Sequence, residues 1–332
     1  MSKKNSINRQ EMKYFLSCDW GTSSFRLRLV ETDSLHIIVE ERSGAGIAGT
    51  YQQWQQTTLP REEFFAAIIN RQIDELEGKT GIPLQDVPVV LSGMASSSIG
   101  MIELPYKALP FHLSGTGLGV HIFQRFIIVS GASSGHDVMR GEETKVAGCL
   151  TLLPDVDEEQ WLLLPGTHPK HIVVHNKQAV RFQTFMTGEF FDLLATHSIL
   201  AASVGAEGTL EDSLACFTEG VRAGWSDNLL HAAFMVRTNQ VLKKMPAAHN
   251  RFYLSGLLIG AELKAVPADV EVYLVAGPQH ARLYTAACEA LEIKVAKVID
   301  GDEALVRGQR EVVLRTIIER NDMRYNSGVN DA

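Results

Sequence analysis

The sequence lacks the features of a secreted, disulfide-bonded or membrane-spanning protein. Its four cysteines are scattered and form no CxxC pair, which is typical of reduced thiols in the cytoplasm and argues against a structural zinc site. No apolar run approaches the ~20 residues that span a membrane, and the polar residues 1–13 contain no secretory signal. We therefore predict a cytoplasmic protein that has no membrane partner and begins with a frayed tail.

Several common ligand-binding motifs are also missing. Neither GxxxxGKS nor GxxxxGKT occurs, which excludes a Walker-type phosphate loop, and there is no GxSxG sequence of a serine hydrolase. GAGIAG (44–49) fits the GxGxxG pattern, but it follows a third predicted strand and leads into no clear helix, so a tight loop is favoured over a dinucleotide site. The net charge of −8 argues against a nucleic-acid partner, while a locally positive site can still bind an anionic small molecule.

Strands and helices alternate through most of the chain. The stretch FLSCDWGTSSFRLRLVE (15–31) has the pattern of a strand, a polar turn and a second strand, and a helix is predicted over 61–81. WLLLPGTHPKHIVVHNKQAV (161–180) repeats the opening pattern, and RFYLSGLLIGAEL (251–263) is predicted as a strand followed by a helix. The alternation predicts an α/β protein with ligands at the carboxyl ends of its strands.

The repeated hairpin divides the chain into two similar halves. Gly-Thr pairs at 21–22 and 166–167 each follow a buried strand, and they are separated by nearly half the chain. The acidic stretch 155–160 lies just before the second hairpin. We therefore predict two α/β domains with a mixed sheet each, over 1–154 and 155–332, facing each other across a cleft.

The two hairpin turns have a composition that suits phosphate and its metal ion. In the first turn Gly21 permits close approach of the backbone to a ligand, and Thr22 and Ser23 offer hydroxyl and N–H donors. Asp19, at the strand end, can orient Mg²⁺ through its waters, because Mg²⁺ binds few carboxylates and keeps several waters. The second turn repeats the glycine and the hydroxyl and adds Lys170. One such turn alone is usually a plain β-turn, so the pair carries the prediction.

The segment HDVMRGEETKVAG (136–148) is the candidate for the reaction itself. Glu142 is predicted near a helix N-terminus, where it is either a helix cap or a group that orients an attacking hydroxyl. Arg140 favours the second interpretation, since phosphoryl transfer needs both an acid and cationic stabilisation. A separate histidine group at 168, 171 and 175 resembles a metal cluster, but Pro169 predicts a hairpin turn that separates the first histidine from the others.

Seven motifs in order make the chain similar to a known family. They are DWGTSSFR, SGMASSSIGMIELPY, VMRGEET, LPGTHPKH, TFMTGEFF, LSGLLIGAE and LVAGPQHARLY. Together they resemble the 2-dehydro-3-deoxygalactonokinase family, in the sugar-kinase branch of the actin-like ATPase superfamily. The resemblance covers roughly residues 14–310 and implies two ribonuclease H-like domains around a nucleotide cleft, with ATP and Mg²⁺ as cofactors.

The resemblance also assigns roles to residues. The first phosphate motif is Asp19, Gly21, Thr22 and Ser23, and the second is Gly166 and Thr167, with Lys170 in the same turn. Gly277 lies in the adenosine motif, together with Gln279. Glu142 occupies the place of the catalytic acid, and Asp137 is the alternative. Arg140 is the cationic neighbour of Glu142. Asp19 and Glu142 are the residues expected to bind the metal ion. For the substrate carboxylate, the expected donors are the backbone N–H and hydroxyl groups of Gly93, Met94, Ala95, Ser96 and Ser97. Arg26 or Arg28 is expected to add a positive charge.

The implied reaction is ATP-dependent phosphorylation of 2-dehydro-3-deoxy-D-galactonate at its terminal C6 hydroxyl, a step of galactonate catabolism. The partner is thus a small sugar acid. Two alternatives stay open at this point: a kinase for a different sugar acid or ketose, and a non-enzymatic actin-like ATP switch. A switch would share the hairpins, but two domains nearly consume the 332 residues and leave no further binding module.

Overall fold

A computed structural model describes residues 12–205 and 208–328. Most of the predicted N-terminal tail, residues 1–11, lies outside this part of the chain. Among the described helices, none is both long and apolar enough to cross a membrane.

The described chain contains strands, α-helices and short 3₁₀ turns. The strands are β1 (Tyr14–Trp20), β2 (Phe25–Glu31), β3 (Ile37–Ser43), β4 (Val89–Gly93), β5 (Lys107–Ala108), β6 (Phe111–His112), β7 (Val120–Phe123), β8 (Phe126–Val129), β9 (Ala132–Ser133), β10 (Val138–Met139), β11 (Gln160–Leu164), β12 (Lys170–His175), β13 (Gln178–Thr184), β14 (Val272–Ala276) and β15 (Val295–Asp300). The α-helices are α1 (Ile47–Trp54), α2 (Arg61–Thr80), α3 (Glu142–Gly148), α4 (Thr187–His197), α5 (Leu210–Ser226), α6 (Leu229–Val241), α7 (Ala247–Leu263), α8 (Pro278–Ala290) and α9 (Gly301–Gly328). The 3₁₀ turns are Met94–Ser96 and Ile199–Ser203.

The chain forms two compact units. The first contains the residues up to Asp155, the short segment Lys177–Val180 and the chain from Asp302 onward, and the second contains Val156–Asn176 and Arg181–Gly301. Sequence reasoning placed α9 in the second half, whereas the structure places it with the first. The reason is a buried glutamine of α9, Gln309, which donates to the carbonyl oxygens of Cys18 (2.9 Å) and Val90 (3.3 Å).

Both units are built on the same strand order. The first sheet runs β3-β2-β1-β4-β8-β7, and the second unit contains β13-β12-β11-β14-β15. In each, a hairpin (β1/β2 or β11/β12) is antiparallel, and its first strand then pairs in parallel with the strand that follows the intervening segment, β4 or β14. A small sheet, β10-β9-β5, completes the first unit. The predicted fold class, two α/β domains with mixed sheets, is confirmed.

Aromatic packing fixes the ends of the first hairpin turn. Trp20 and Phe25 face each other in the β1/β2 register and are both buried, with ring centroids 5.0 Å apart in an edge-on arrangement. Phe65 of α2 packs on Trp20 with a centroid distance of 5.4 Å. Burial of side chains of this size contributes about 1.5–3 kcal/mol each. The turn between these anchors, residues 21–24, is therefore presented by a rigid base.

Two predictions about local structure were wrong. GAGIAG does lead into a helix, since α1 begins at Ile47 directly after Gly46. The stretch 251–263 contains no strand, because it lies entirely within α7 (Ala247–Leu263). Its two glycines lower the local propensity for helix. They serve a close helix crossing.

The crossing of α5 and α7 depends on four glycines. At Gly220 and Gly224 of α5, and at Gly256 and Gly260 of α7, an added methyl group would overlap the backbone of the opposite helix. The two backbones therefore approach more closely than any side chain permits. This contact fixes α7 in the second unit.

We expect Gly256→Ala to destabilise the protein by about 1–3 kcal/mol, because the new Cβ would overlap the carbonyl oxygen of Phe217. Gly78→Ala is the matched control. Gly78 lies inside α2, and a Cβ added there would have no atom within 4 Å, so the substitution should stabilise by about 0.5–1 kcal/mol. Urea unfolding measures both, and equal effects would show that the crossing has room.

Candidate active site

The first hairpin turn is a tight, exposed loop held by a helix end. Gly21 N–H donates to the carbonyl oxygen of Ser24 across the turn (2.9 Å). The first two N–H groups of α1, at Ile47 and Ala48, donate to the carbonyl oxygens of Gly21 (3.0 Å) and Thr22 (3.1 Å). The side chains of Thr22 and Ser23 are exposed. The backbone of the turn is thus fixed while its hydroxyl groups face outward, as phosphate binding requires.

Asp19 and Glu142, the two predicted metal-side carboxylates, lie at one edge of the first sheet. The parallel register pairs Trp20 of β1 with Gly93 of β4, so both strands end together. A Cβ at Gly93 would lie 3.7 Å from Asp19 Oδ1, and a Cβ at Gly141 would lie 3.2 Å from the Cα of Gly93. Gly141 is the N-cap of α3, which begins with Glu142. The backbone glycines thus bring the two acidic segments close together.

An ion-pair network surrounds Asp19. Arg26 donates to Asp19 Oδ2 (2.9 Å) and to Asp302 Oδ2 (2.6 Å), and the buried Arg28 donates to Asp302 (2.7 Å) and Glu40 (2.5 Å). Burial alone would raise the pKa of Asp302, but the two guanidinium groups hold it below its ordinary value. The expectation that Arg26 or Arg28 meets a substrate carboxylate is not supported by this arrangement, since carboxylates within the first unit already pair with both.

Arg140 has a different environment, made of neutral groups. Its Nη1 donates to the carbonyl oxygen (2.5 Å) and the Oγ (2.6 Å) of Ser96, and its guanidinium lies 4.3 Å from the ring centroid of Tyr106. Its backbone N–H donates to Glu142 Oε2 (3.0 Å). Arg140 therefore ties the segment before α3 to the turn after β4 through its guanidinium and contacts Glu142 through its backbone N–H.

The turn after β4 offers fewer side-chain donors than the sequence suggested. Ala95, Ser96 and Ser97 are buried; Ser97 Oγ donates to the carbonyl oxygen of Met94 (2.8 Å), and Ser96 is bonded to Arg140. The predicted hydroxyl contacts from Ser96 and Ser97 to a substrate do not fit this arrangement. Gly93, with φ +85°, ends the strand and needs the conformational freedom of glycine there.

Asp137, the alternative catalytic acid, lies in the turn between β9 and β10. Its Oδ1 accepts a hydrogen bond from the N–H of Val138 (2.7 Å), and its own N–H donates to Ser134 Oγ (3.1 Å). It is thus part of a local turn, whereas Glu142 begins a helix.

A second acid of the same motif was missed by sequence reasoning. Glu143 is fully buried and accepts hydrogen bonds from Gly141 N–H (2.7 Å) and from Thr144 Oγ1 (3.1 Å). Burial, with the charge of Glu142 as a smaller contribution, raises the pKa of Glu143 to about 8. Only its position inside a predicted helix, directly after Glu142, could have indicated this.

A cavity of about 510 Å³ lies in the second unit and gathers several predicted nucleotide residues. Gly166 and Thr167 from the turn after β11 line it together with Gln279 from the first turn of α8. Residues with no predicted role also line it, among them Thr187, Gly188, Phe191, Arg251, Ser255 and Tyr284. The motif TFMTGEFF, which contains the start of α4, was the sequence feature that could have identified Thr187, Gly188 and Phe191.

The other predicted residues of the second unit are Lys170, Gly277 and the histidines, and each has a local structural contact. Lys170 is buried, and its Nζ donates to the carbonyl oxygen of His168 (2.7 Å). Gly277 is the N-cap of α8. The histidines are separated as predicted: His168 contacts Glu189, and the buried His171 contacts Glu262. No group of three or more His, Cys, Asp or Glu side chains that could hold a metal occurs in residues 12–205 and 208–328.

Comparisons with known proteins place this chain in a family. A profile of the family described as 2-keto-3-deoxy-galactonokinase matches residues 19–312. A 2-dehydro-3-deoxygalactonokinase of Escherichia coli (strain K12) is 32% identical over 308 residues, which covers 90% of this chain and 97% of that protein. A Rhizobium meliloti (strain 1021) protein proposed to have the same activity is 32% identical over 89% of this chain and 95% of its own length.

A solved structure gives the same result for the fold. The crystal structure of a Sinorhizobium meliloti protein, also proposed to be a 2-dehydro-3-deoxygalactonokinase, superposes with a TM-score of 0.74 at 30% identity. The match covers 89% of this chain and 97% of that one. The chain therefore belongs to the 2-keto-3-deoxy-galactonokinase family.

Proposed function

We propose that the protein phosphorylates 2-dehydro-3-deoxy-D-galactonate at its terminal C6 hydroxyl, with ATP as the phosphoryl donor, in galactonate catabolism. Family membership and the activity of the Escherichia coli relative support this substrate. The structural observation that carries the proposal is the close approach of the start of α3, which carries Glu142, to Gly93 beside Asp19, where β1 and β4 end. An acid at a helix start beside a second carboxylate is what phosphoryl transfer to a hydroxyl needs.

The nucleotide belongs, in this proposal, to the second unit. Its cavity is lined by Gly166 and Thr167, whose turn offers N–H and hydroxyl donors to phosphate, and by Gln279 on the helix that Gly277 caps. Drug-sized and cofactor ligands occupy cavities of roughly 300–1,000 Å³. A nucleotide is of this size class. The first unit then carries the sugar acid and the groups that act on it.

The carboxylate environment fits a magnesium ion. Asp19 accepts from Arg26 through Oδ2, while its Oδ1 lies near Gly93, 3.7 Å from the position that a Cβ there would take. Mg²⁺ usually takes one or two protein carboxylates and completes its shell with water and phosphate oxygens. Asp19 and Glu142 would hold it through this pair of side chains, and the ion would neutralise charge on the phosphates.

The chain's own groups supply the rest of the mechanism. Glu142 accepts the proton of the attacking C6 hydroxyl or holds that hydroxyl in line, and its position is fixed by the N–H of Arg140. Arg140 offsets negative charge on the reacting groups. Its two described hydrogen bonds come from Nη1 alone, so the other nitrogens of the guanidinium fork can meet an anionic oxygen.

The test is a substrate panel with purified protein and ATP. We expect the keto-deoxy sugar acid to exceed a neutral ketose of similar size in kcat/KM by roughly 10–100-fold, because hydrogen bonds to a charged group contribute about 1.5–3 kcal/mol. ADP release coupled to an indicator reaction measures this, with aldonates as a further comparison. Equal efficiency for acid and ketose would reject the substrate assignment. ATP turnover that ignores every sugar would instead indicate a nucleotide switch.

A further inference from the structure

A buried carboxylate lies directly behind the wall of the second unit's cavity. Glu262, on α7, has a side chain that is only 1% exposed, and both of its carboxylate oxygens have hydrogen-bond partners. Thr187 Oγ1 (2.5 Å) and Tyr284 Oη (2.7 Å) donate to Oε2, and His171 Nε2 lies 3.0 Å from Oε1. Thr187 and Tyr284 line the cavity. Glu262 thus acts on the cavity through its neighbours.

These neighbours come from the elements that carry the predicted nucleotide contacts. His171 is the second residue of β12, just after the turn of Gly166 and Thr167. Thr187 begins α4. Tyr284 lies on α8, the helix that also carries Gln279. One carboxylate therefore connects three elements around the cavity.

The contact between α4 and the phosphate turn is close. A Cβ at Gly188 would lie 2.6 Å from the carbonyl oxygen of Gly166, so the start of α4 rests directly on that turn. The backbone N–H of Glu189 also donates to the carbonyl oxygen of Thr167 (3.1 Å). A displacement of Thr187 would therefore move the turn as well.

A packing role alone does not account for a carboxylate at this position. Burying an acid requires that hydrogen bonds replace its lost hydration, and an apolar side chain of the same size avoids this cost. The carboxylate does what an apolar residue cannot: it accepts from both hydroxyls. Since each O–H of Thr187 and Tyr284 points at Glu262, these oxygens can face a ligand only as acceptors.

We propose that Glu262 is a positioning residue for the nucleotide. It holds Thr187 and Tyr284 with their hydroxyl hydrogens turned away from the cavity, so that the wall presents acceptors to the N–H or O–H groups of the nucleoside. This inference rests on the proposed nucleotide role of the cavity. It concerns ATP affinity and not the sugar acid.

The experiment is calorimetric titration of ATP into the protein without sugar acid. We expect Glu262→Leu to raise the Kd for ATP about tenfold, because it removes both acceptors, and Glu262→Gln to restore it to within about threefold, because the amide oxygen still accepts. The KM for the sugar acid should stay within about twofold in both variants. Ser203→Ala is the control: it removes another buried hydroxyl contact of the second unit, to Gln240.

If Glu262→Leu does not fold, two further variants test the proposal in its place. Thr187→Val and Tyr284→Phe each remove one hydroxyl and should each raise the Kd for ATP about threefold. An unchanged Kd in all variants, or an equal rise in Ser203→Ala, would overturn the proposal and leave Glu262 a structural residue. Wild-type protein that binds ATP but phosphorylates no sugar acid would reject the proposed function alone. Wild-type protein that does not bind ATP would reject this inference.

Discussion

Replacing Glu142 by glutamine should lower kcat by about 10²–10⁴-fold, while ATP should still bind, because its proposed contacts lie in the cavity of the second unit. Glutamine keeps the size of the side chain and an oxygen that can accept the N–H of Arg140, but it cannot take a proton from the attacking hydroxyl. The fall in kcat therefore reports the chemical step, and a raised KM for ATP would report the metal ion that Asp19 and Glu142 hold in our proposal. Steady-state kinetics with ATP and the sugar acid measure both quantities.

Asp137→Asn is the matched control for this substitution. The Asp137 carboxylate accepts the N–H of Val138 within its own turn, and an asparagine oxygen can do the same. Its kcat should therefore stay close to that of the wild type. If Asp137→Asn abolishes transfer while Glu142→Gln spares it, the roles are reversed and Glu142 is only a helix cap.

The hairpins, and with them the fold class, could be predicted because their information is local. The two Gly-Thr turns lie between apolar strands whose pattern identifies them directly, and the repeat shows that the architecture occurs twice. The same holds for Glu142, whose helix start follows from Gly141 and the apolar pattern after it. Each of these needs only a short stretch of sequence.

What the sequence did not reveal depends on distant partners. Gln309 draws α9 into the first unit through carbonyl groups more than 200 residues away in the chain. Arg26 pairs with Asp302 over a similar separation, a contact that the sequence around Arg26 does not indicate. The glycines of α7 lower its local helix propensity, whereas the crossing that requires them involves a different helix, α5. The environment of Glu262 also depends on distant residues, because its partners lie on three other elements.

Glu143, the buried neighbour of the proposed catalytic acid Glu142, should make the stability of the protein depend on pH. The pKa of Glu143 is about 8 in the folded protein, compared with an ordinary value of 4.5. Between these two pH values the folded state keeps the proton and the unfolded state has lost it, so folding takes up a proton. The free energy of unfolding therefore falls as pH rises through this window. The contribution of Glu143 is fully present below pH 4.5 and is lost above pH 8.

Glu143→Gln should remove this part of the pH dependence. Glutamine mimics the neutral acid: its oxygen can accept the N–H of Gly141, and its amide can donate to Thr144 Oγ1. Between pH 5 and pH 9 the wild type should lose about 4 kcal/mol more than the variant, since each pKa unit corresponds to about 1.4 kcal/mol. Urea unfolding of both proteins across this range measures the difference, in which the other titrating groups cancel. Parallel curves would mean that Glu143 is ionised in the folded protein, and its hydrogen bonds from Gly141 and Thr144 would then have to stabilise a second charge directly beside Glu142.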